Sequence, residues 1–160
     1  MAVRRVGSAR LEPLYTTEAV AHGGRRGDVS VDGGALSFEL AMPRELGGDG
    51  GEGVNPEQLF AAGFAACFQS SLAFCARQRD VRVDGGEVRA RVGIGPDDGG
   101  TYVLAVELVV DLPGVDPAVA DRLVRAAERV CPYSRATRGD IETSVRLSER
   151  TGELATDGGG

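Results

Sequence analysis

A chain of 160 residues with 42% hydrophobic content is long enough for one domain with a real core. Its net charge of −6 argues against a nucleic-acid binder, which needs a basic face. All 18 basic residues are Arg, which excludes Schiff-base lysine chemistry and the P-loop lysine, and the single His22 excludes a multi-His metal site.

The opening stretch MAVRRVGSARLEP carries Arg residues but no apolar core, so no signal peptide is expected. No apolar run is expected to approach the ~20 residues of a membrane span. Three cysteines then fit a cytoplasmic protein, where a disulfide is more often catalytic than structural. Residues 1–11 and 148–160 read as flexible tails around a single domain over 12–147.

Near the start, LYTTEAVAH and DVSV read as strands around the turn HGGRRG. Leu36, Phe38, Leu40 and Met42 alternate with small or polar residues and predict a further strand. A helix is predicted from Asn55, a good N-cap followed by Pro56 at the first helical position. Its sequence, PEQLFAAGFAACFQSSLAFCAR, is apolar all round, which predicts burial on every side and suggests that a second subunit covers part of it. Val88, Ala90, Val92 and Ile94 alternate along the next strand, and GPDDGG turns it into a long strand from Tyr102 to Leu112. A second helix begins at Asp116-Pro117, with Val119, Leu123, Ala127, Val130 and Cys131 as its inner stripe and Pro132 as its end. Ile141, Thr143, Val145 and Leu147 alternate along the last strand. The order of strands, buried helix, hairpin, amphipathic helix and strand predicts an α+β sandwich.

Cys67 and Cys75 lie on one helix, about 12 Å apart by its rise, whereas a disulfide needs Cα atoms within about 7 Å. They cannot pair. Cys131 ends the inner stripe of the other helix, so Cys67–Cys131 is a feasible pair and Cys75–Cys131 the competing one. Residue type alone favours buried cysteines acting as small hydrophobes. A reactive Cys67 would need a nearby cation, because an apolar pocket raises a thiol's pKa. Arg25 and Arg26 of HGGRRG are candidates, and Glu57 could orient either by a bidentate pair. Against this, turn arginines are usually solvated, and an acid in the first turn of a helix suits the helix dipole by itself.

The segments NPEQLFAAGFAACF and ERVCPYSRATRGDI, with AHGGRRG upstream, resemble the organic hydroperoxide resistance (Ohr) branch of the OsmC/Ohr superfamily over roughly Leu14 to Leu147. The resemblance implies a peroxidatic Cys67, a resolving Cys131, Arg25 rather than Arg26 as the thiolate's cation, and Glu57 as its orienting acid. It also implies an intertwined homodimer, two central helices sandwiched by antiparallel-rich sheets. The expected activity is reduction of alkyl and fatty-acid hydroperoxides, with no bound cofactor and the lipoyl dithiol of a partner protein as reductant. Phe64, Ala65, Glu128 and Arg135 depart from the family's usual residues, and Cys75 maps to no family role.

Two rival readings remain. GDGGEG (Gly48–Gly53) matches G-x-G-x-x-G, but Asp49 and Glu52 would repel phosphate and no buried parallel strand leads into it. A dimer that binds a hydrophobic ligand, or senses oxidants by a thiol switch, would use the same residues without turnover.

Overall fold

The computed structural model describes residues 12–152, which fall into two compact units, 12–55 and 56–152. The expected N-terminal tail and residues 153–160 of the expected C-terminal one lie outside the described residues.

In the first unit, β1 (Ala19–His22), β2 (Asp28–Val31) and β3 (Ser37–Glu39) form an antiparallel sheet in that order. Only the last four residues of LYTTEAVAH are strand, and Leu14 and Tyr15, outside it, are exposed. A single 3-10 turn, Gly24–Arg26, joins β1 to β2. Glycine is required there: Gly23 and Gly24 have φ of +68° and +61°, and a Cβ on Gly27 would stand 1.8 Å from the His22 carbonyl oxygen. The turn leaves Arg25 half-buried and Arg26 exposed. His22, at the hairpin's base, faces Asp28, with Nδ1 3.3 Å from Oδ2 in an exposed pair, so its role is local.

The predicted Leu36–Met42 strand is paired with β2 only over Ser37–Glu39, and Leu40 makes a parallel bridge to Val54. The loop between them brings chain against chain. A Cβ on Gly48 would lie 1.9 Å from the Met42 carbonyl oxygen, and one on Gly53 would lie 2.8 Å from the Ala41 Cβ. Two of the three fingerprint glycines in GDGGEG therefore serve close backbone approach.

The second unit holds α1 (Pro56–Arg77), β4 (Glu87–Pro96), β5 (Tyr102–Asp111), α2 (Pro117–Val130), α3 (Pro132–Thr137) and β6 (Glu142–Leu147). β4 and β5 pair antiparallel through the hairpin, whose Asp97 Oδ1 accepts from the N–H groups of Gly99 and Thr101. β6 joins the other edge of β5 in parallel, the two strands being separated in sequence by α2 and α3. The α+β class with antiparallel-rich sheets is thus the observed one.

One face of this sheet is the core. Val106, Leu108 and Val110 of β5 are buried with Phe64, Phe68 and Leu72 of α1 and Ala120, Leu123 and Ala127 of α2. Each large side chain there contributes about 2 kcal/mol relative to exposure. On the opposite face, Glu107 bridges Arg91 at 2.9 Å and Arg146 at 2.8 Å across all three strands. These ion pairs, Arg146 first, hold the Glu107 carboxyl below its usual range, but exposed pairs add little to stability. Apolar burial between sheet and helices therefore holds the unit together.

Helix α1 differs from expectation in one way. It is 22 residues long and, by length and composition, apolar enough to cross a membrane. This corrects the expectation that no apolar run comes near such a length: between Glu57 and Arg77 the helix carries no charged residue. Within this chain burial falls on one side only, Ala62, Ala66, Ser70 and Phe74, four residues apart, being exposed, so the cover of this helix expected from a second subunit is not met by the chain itself.

Helix α2 starts as predicted: Asp116 Oδ1 accepts from the N–H groups of Ala118 and Val119, both at 3.0 Å. Asp116→Ala is expected to lower stability by about 1 kcal/mol, read as a lower urea midpoint at unchanged slope. The buried stripe is rotated from the predicted one. Ala120 and Val124 are buried, whereas Val130 is 44% exposed. Pro132 ends α2 as expected but also opens α3, which periodicity did not predict. Past β6, residues 148–152 are pinned to β5: the Ser148 N–H donates to the Val110 carbonyl, and Arg150 pairs with the buried Asp111.

Candidate dithiol site

Cys67 lies at mid-helix in α1 and is half-buried. The Ser71 hydroxyl donates to its carbonyl at 2.9 Å. Cys131 is fully buried at the joint between α2 and α3. Its N–H closes the last turn of α2 on the Ala127 carbonyl at 2.8 Å, and its carbonyl accepts the Arg135 N–H of α3 at 3.0 Å. Between these bonds its backbone is extended, as the following Pro132 demands. That break turns the side chain toward α1, and the sulfurs of Cys131 and Cys67 stand 3.6 Å apart. Both thiols are free. A disulfide bond is about 2.0 Å long, so rotation of the two side chains covers much of the remaining distance.

Cys75 is also free, and it is buried in the core two turns further along α1. Helical rise keeps its Cα about 12 Å from that of Cys67.

The two neighbouring thiols are tuned in opposite directions. Burial pushes the Cys67 thiol up, the Tyr133 N–H pulls it down less strongly, and the Cys131 thiol raises it further. Burial is also the largest single influence on Cys131 and acts upward. It is outweighed by the Ser134 N–H, the Ser134 hydroxyl, the Cys67 thiol and the Tyr133 N–H, which together hold Cys131 below its ordinary value. Dry walls alone therefore do not make Cys67 a ready thiolate.

Those walls are aromatic. Phe60 and Phe64 meet edge to face at 5.8 Å, and the Tyr133 ring stacks on Phe60 at 6.4 Å and tilts against Phe64 at 5.8 Å. Gly63 makes room for that ring, because a Cβ there would come within 3.2 Å of the Tyr133 ring and hydroxyl. Phe64, one of the departures, is fully buried and serves this packing, while Glu128 and Arg135 are exposed. Sequence reasoning passed over Gly63, Tyr133 and Ser134. The signal for the last two was their place directly after Cys131-Pro132.

The remaining candidates lie apart in sequence and element. Arg25 occupies the 3-10 turn of the first unit, and Glu57 the first turn of α1, both half-buried. Glu57 precedes Cys67 by ten residues, roughly 15 Å along the helix, so any influence on the thiol passes through another group. Among the described residues, no group of three or more His, Cys, Asp and Glu side chains is placed to hold a metal ion.

A helix-borne thiol facing a second thiol at a Pro-broken helix joint, beneath an α+β sheet, defines a small dithiol protein. Comparison with known proteins gives the family. The family model described as OsmC-like protein matches residues 48–146. The organic hydroperoxide resistance protein of Xanthomonas axonopodis pv. citri is 47% identical over 136 residues, covering 84% of this chain and 95% of that one. The organic hydroperoxide resistance protein OhrB of Bacillus subtilis is 40% identical over 135 residues, covering 84% and 98%. The crystal structure of an organic hydroperoxide resistance protein from Legionella pneumophila superposes with a TM-score of 0.81 at 42% identity, covering 86% of this chain and 99% of that one. The chain belongs to the OsmC-like family, and these relatives place it beside the organic hydroperoxide resistance proteins.

Proposed function

We propose that this protein is a thiol peroxidase that reduces organic hydroperoxides to alcohols. The observation that carries the reading is the 3.6 Å approach of two free thiols in an aromatic-walled, half-buried site. The names of the relatives above agree with it.

In the first step the Cys67 thiolate attacks the distal oxygen of ROOH. The O–O bond breaks, ROH leaves after taking a proton, and Cys67 is oxidised to a sulfenic acid. In the second, the Cys131 sulfur attacks the Cys67 sulfur. The S–O bond breaks, a disulfide forms and water departs, which protects Cys67 from over-oxidation to sulfinic acid. A dithiol then reduces the disulfide by exchange and is itself oxidised to a cyclic disulfide. Arg25, oriented by Glu57, supplies the positive charge that counters the effect of burial on Cys67. The apolar walls of Phe60, Phe64 and Tyr133 suit alkyl and fatty-acid hydroperoxides better than hydrogen peroxide.

Three further parts of the reading follow. The reductant is a dihydrolipoyl group of a partner protein, thin enough to reach a buried disulfide. The active form is a homodimer, in which a second copy covers the open Ala62, Ala66, Ser70 and Phe74 face of α1. Its setting is the cytoplasm, where three free cysteines stay reduced.

A steady-state assay with cumene hydroperoxide tests the reading. Dihydrolipoamide is expected to sustain turnover, and thioredoxin with its reductase to sustain much less. A second reading, a non-enzymatic redox sensor, draws on the upward pressure of burial on Cys67, which slows any thiol. One oxidation to the disulfide with no turnover under dihydrolipoamide would favour the sensor and sink the peroxidase.

A further inference from the structure

Two sulfurs held close but unbonded have a span of their own, and that span selects a ligand. The Cys67 and Cys131 sulfurs stand 3.6 Å apart with both thiols free. A disulfide would require them to close to about 2.0 Å. A soft centre bonded to both sulfurs at about 2.3 Å, with about 100° between its bonds, spans about 3.5 Å instead. The reduced pair meets that bite with its side chains where they are. The backbone on both sides of Cys131 is fixed, its N–H closing α2 on the Ala127 carbonyl and its carbonyl accepting the Arg135 N–H of α3. Cys67 is fixed in the middle of α1. Such preorganisation favours chelation, because little is left to be ordered on binding.

The surroundings narrow the choice of centre. A zinc-like ion wants four ligands, at least three of them from protein. Among the described residues, no group of three or more His, Cys, Asp and Glu side chains is placed for such an ion. Cys75, the remaining thiol, lies about 12 Å from Cys67 by helical rise. What the pair has beside it is aromatic. Phe60 and Tyr133 stack at 6.4 Å next to Phe64, Phe60 being half-buried and Tyr133 39% exposed. A centre satisfied by two sulfurs and one carbon substituent fits this setting. An aryl substituent fits it best, since rings pack edge to face or offset against rings.

We propose that the reduced Cys67–Cys131 pair is a chelating site for trivalent organic arsenicals that carry one carbon substituent and two hydroxyls, aryl ones in preference to alkyl ones. On binding, two As–O bonds break and two As–S bonds form. Each thiol proton leaves with one of the hydroxyls, so two waters depart. Arsenic stays trivalent, and nothing is oxidised or reduced. The half-buried Cys67 bonds first, and the fully buried Cys131 closes the ring. The inference needs only two reduced thiols and stands apart from the peroxidase reading.

The test titrates phenylarsine oxide, which hydrates to such a diol, into the reduced protein and follows binding by calorimetry. The parent protein and Cys75→Ser are expected to take up one equivalent per chain with equal affinity. Cys67→Ser and Cys131→Ser each keep one thiol of the pair and are expected to bind at least about a hundredfold more weakly, because the second bond of a chelate forms at high effective concentration. Mass spectrometry of the parent adduct should find one phenylarsenic group linking the Cys67 and Cys131 peptides, a readout that needs no variant to fold. Phe60→Leu is expected to weaken phenylarsine oxide roughly threefold to tenfold and methylarsonous acid hardly at all.

A parent protein that binds no more tightly than Cys67→Ser overturns the proposal, as does an adduct located on Cys75. Equal losses for the two arsenicals in Phe60→Leu overturn the aryl preference. An arsenical-binding parent that sustains no hydroperoxide turnover sinks the peroxidase reading and leaves the chelating site standing.

Discussion

Replacing Cys67 by Ser is expected to abolish hydroperoxide reduction, with turnover falling to the uncatalysed rate. A hydroxyl at that position is several units less acidic than a thiol and offers no thiolate-like nucleophile near neutral pH. No second thiol in the chain can substitute. Cys131 is fully buried, and Cys75 sits in the core two turns away on α1. The companion variants separate the roles. Cys131→Ser is expected to consume about one equivalent of cumene hydroperoxide, stall as a Cys67 sulfenic acid, and pass to sulfinic acid under excess oxidant. Cys75→Ser is expected to turn over normally. Peptide mapping by mass spectrometry after one equivalent of oxidant should find a single Cys67–Cys131 linkage. A Cys75–Cys131 peptide, or lost turnover in Cys75→Ser, would overturn the assignment.

Arg25→Ala is expected to slow the oxidation step by roughly a hundredfold to a thousandfold, the loss typical when one preorganised charge at a reacting anion is removed. The physical need is specific to this site. Burial raises the Cys67 thiol more than the Tyr133 N–H lowers it, so the thiolate requires a positive charge from elsewhere. The two arginines of the turn differ in a way that selects between them, Arg25 being half-buried and Arg26 exposed. Arg26→Ala should accordingly change the rate by less than about twofold, since an exposed charge is screened by solvent and salt. Glu57→Ala should act through Arg25, loosening its placement, with a loss of roughly tenfold. The measurement is the second-order rate of sulfenic acid formation as a function of pH. Arg25→Ala should shift its rising, low-pH limb to higher pH, because losing a cation raises the thiol pKa. A rate insensitive to both arginines would remove Arg25 from the mechanism.

Much of the architecture was legible along the chain, for a local reason. Period-two alternation survives wherever a strand has one wet and one buried face, as in β4 and β6, and Pro56 and the Asp116-Pro117 cap mark helix starts, the latter through contacts within one turn. The separation of Cys67 from Cys75 followed from helical rise alone. The α+β class followed from the order of these elements.

What needed the tertiary structure is everything that depends on which faces meet. Periodicity put Val130 on the inner stripe of α2, yet the stripe that packs runs through Ala120 and Val124 and leaves Val130 outside. An all-round apolar α1 did not say which face this chain itself would cover: the sheet and α2 take one, and the Ala62-to-Phe74 stripe is left open within the chain. Spacing left two partners open for Cys131, Cys67 and Cys75. The break at Pro132 brings its sulfur to 3.6 Å from Cys67, because an extended residue between two helices re-aims a side chain in a way no stripe encodes.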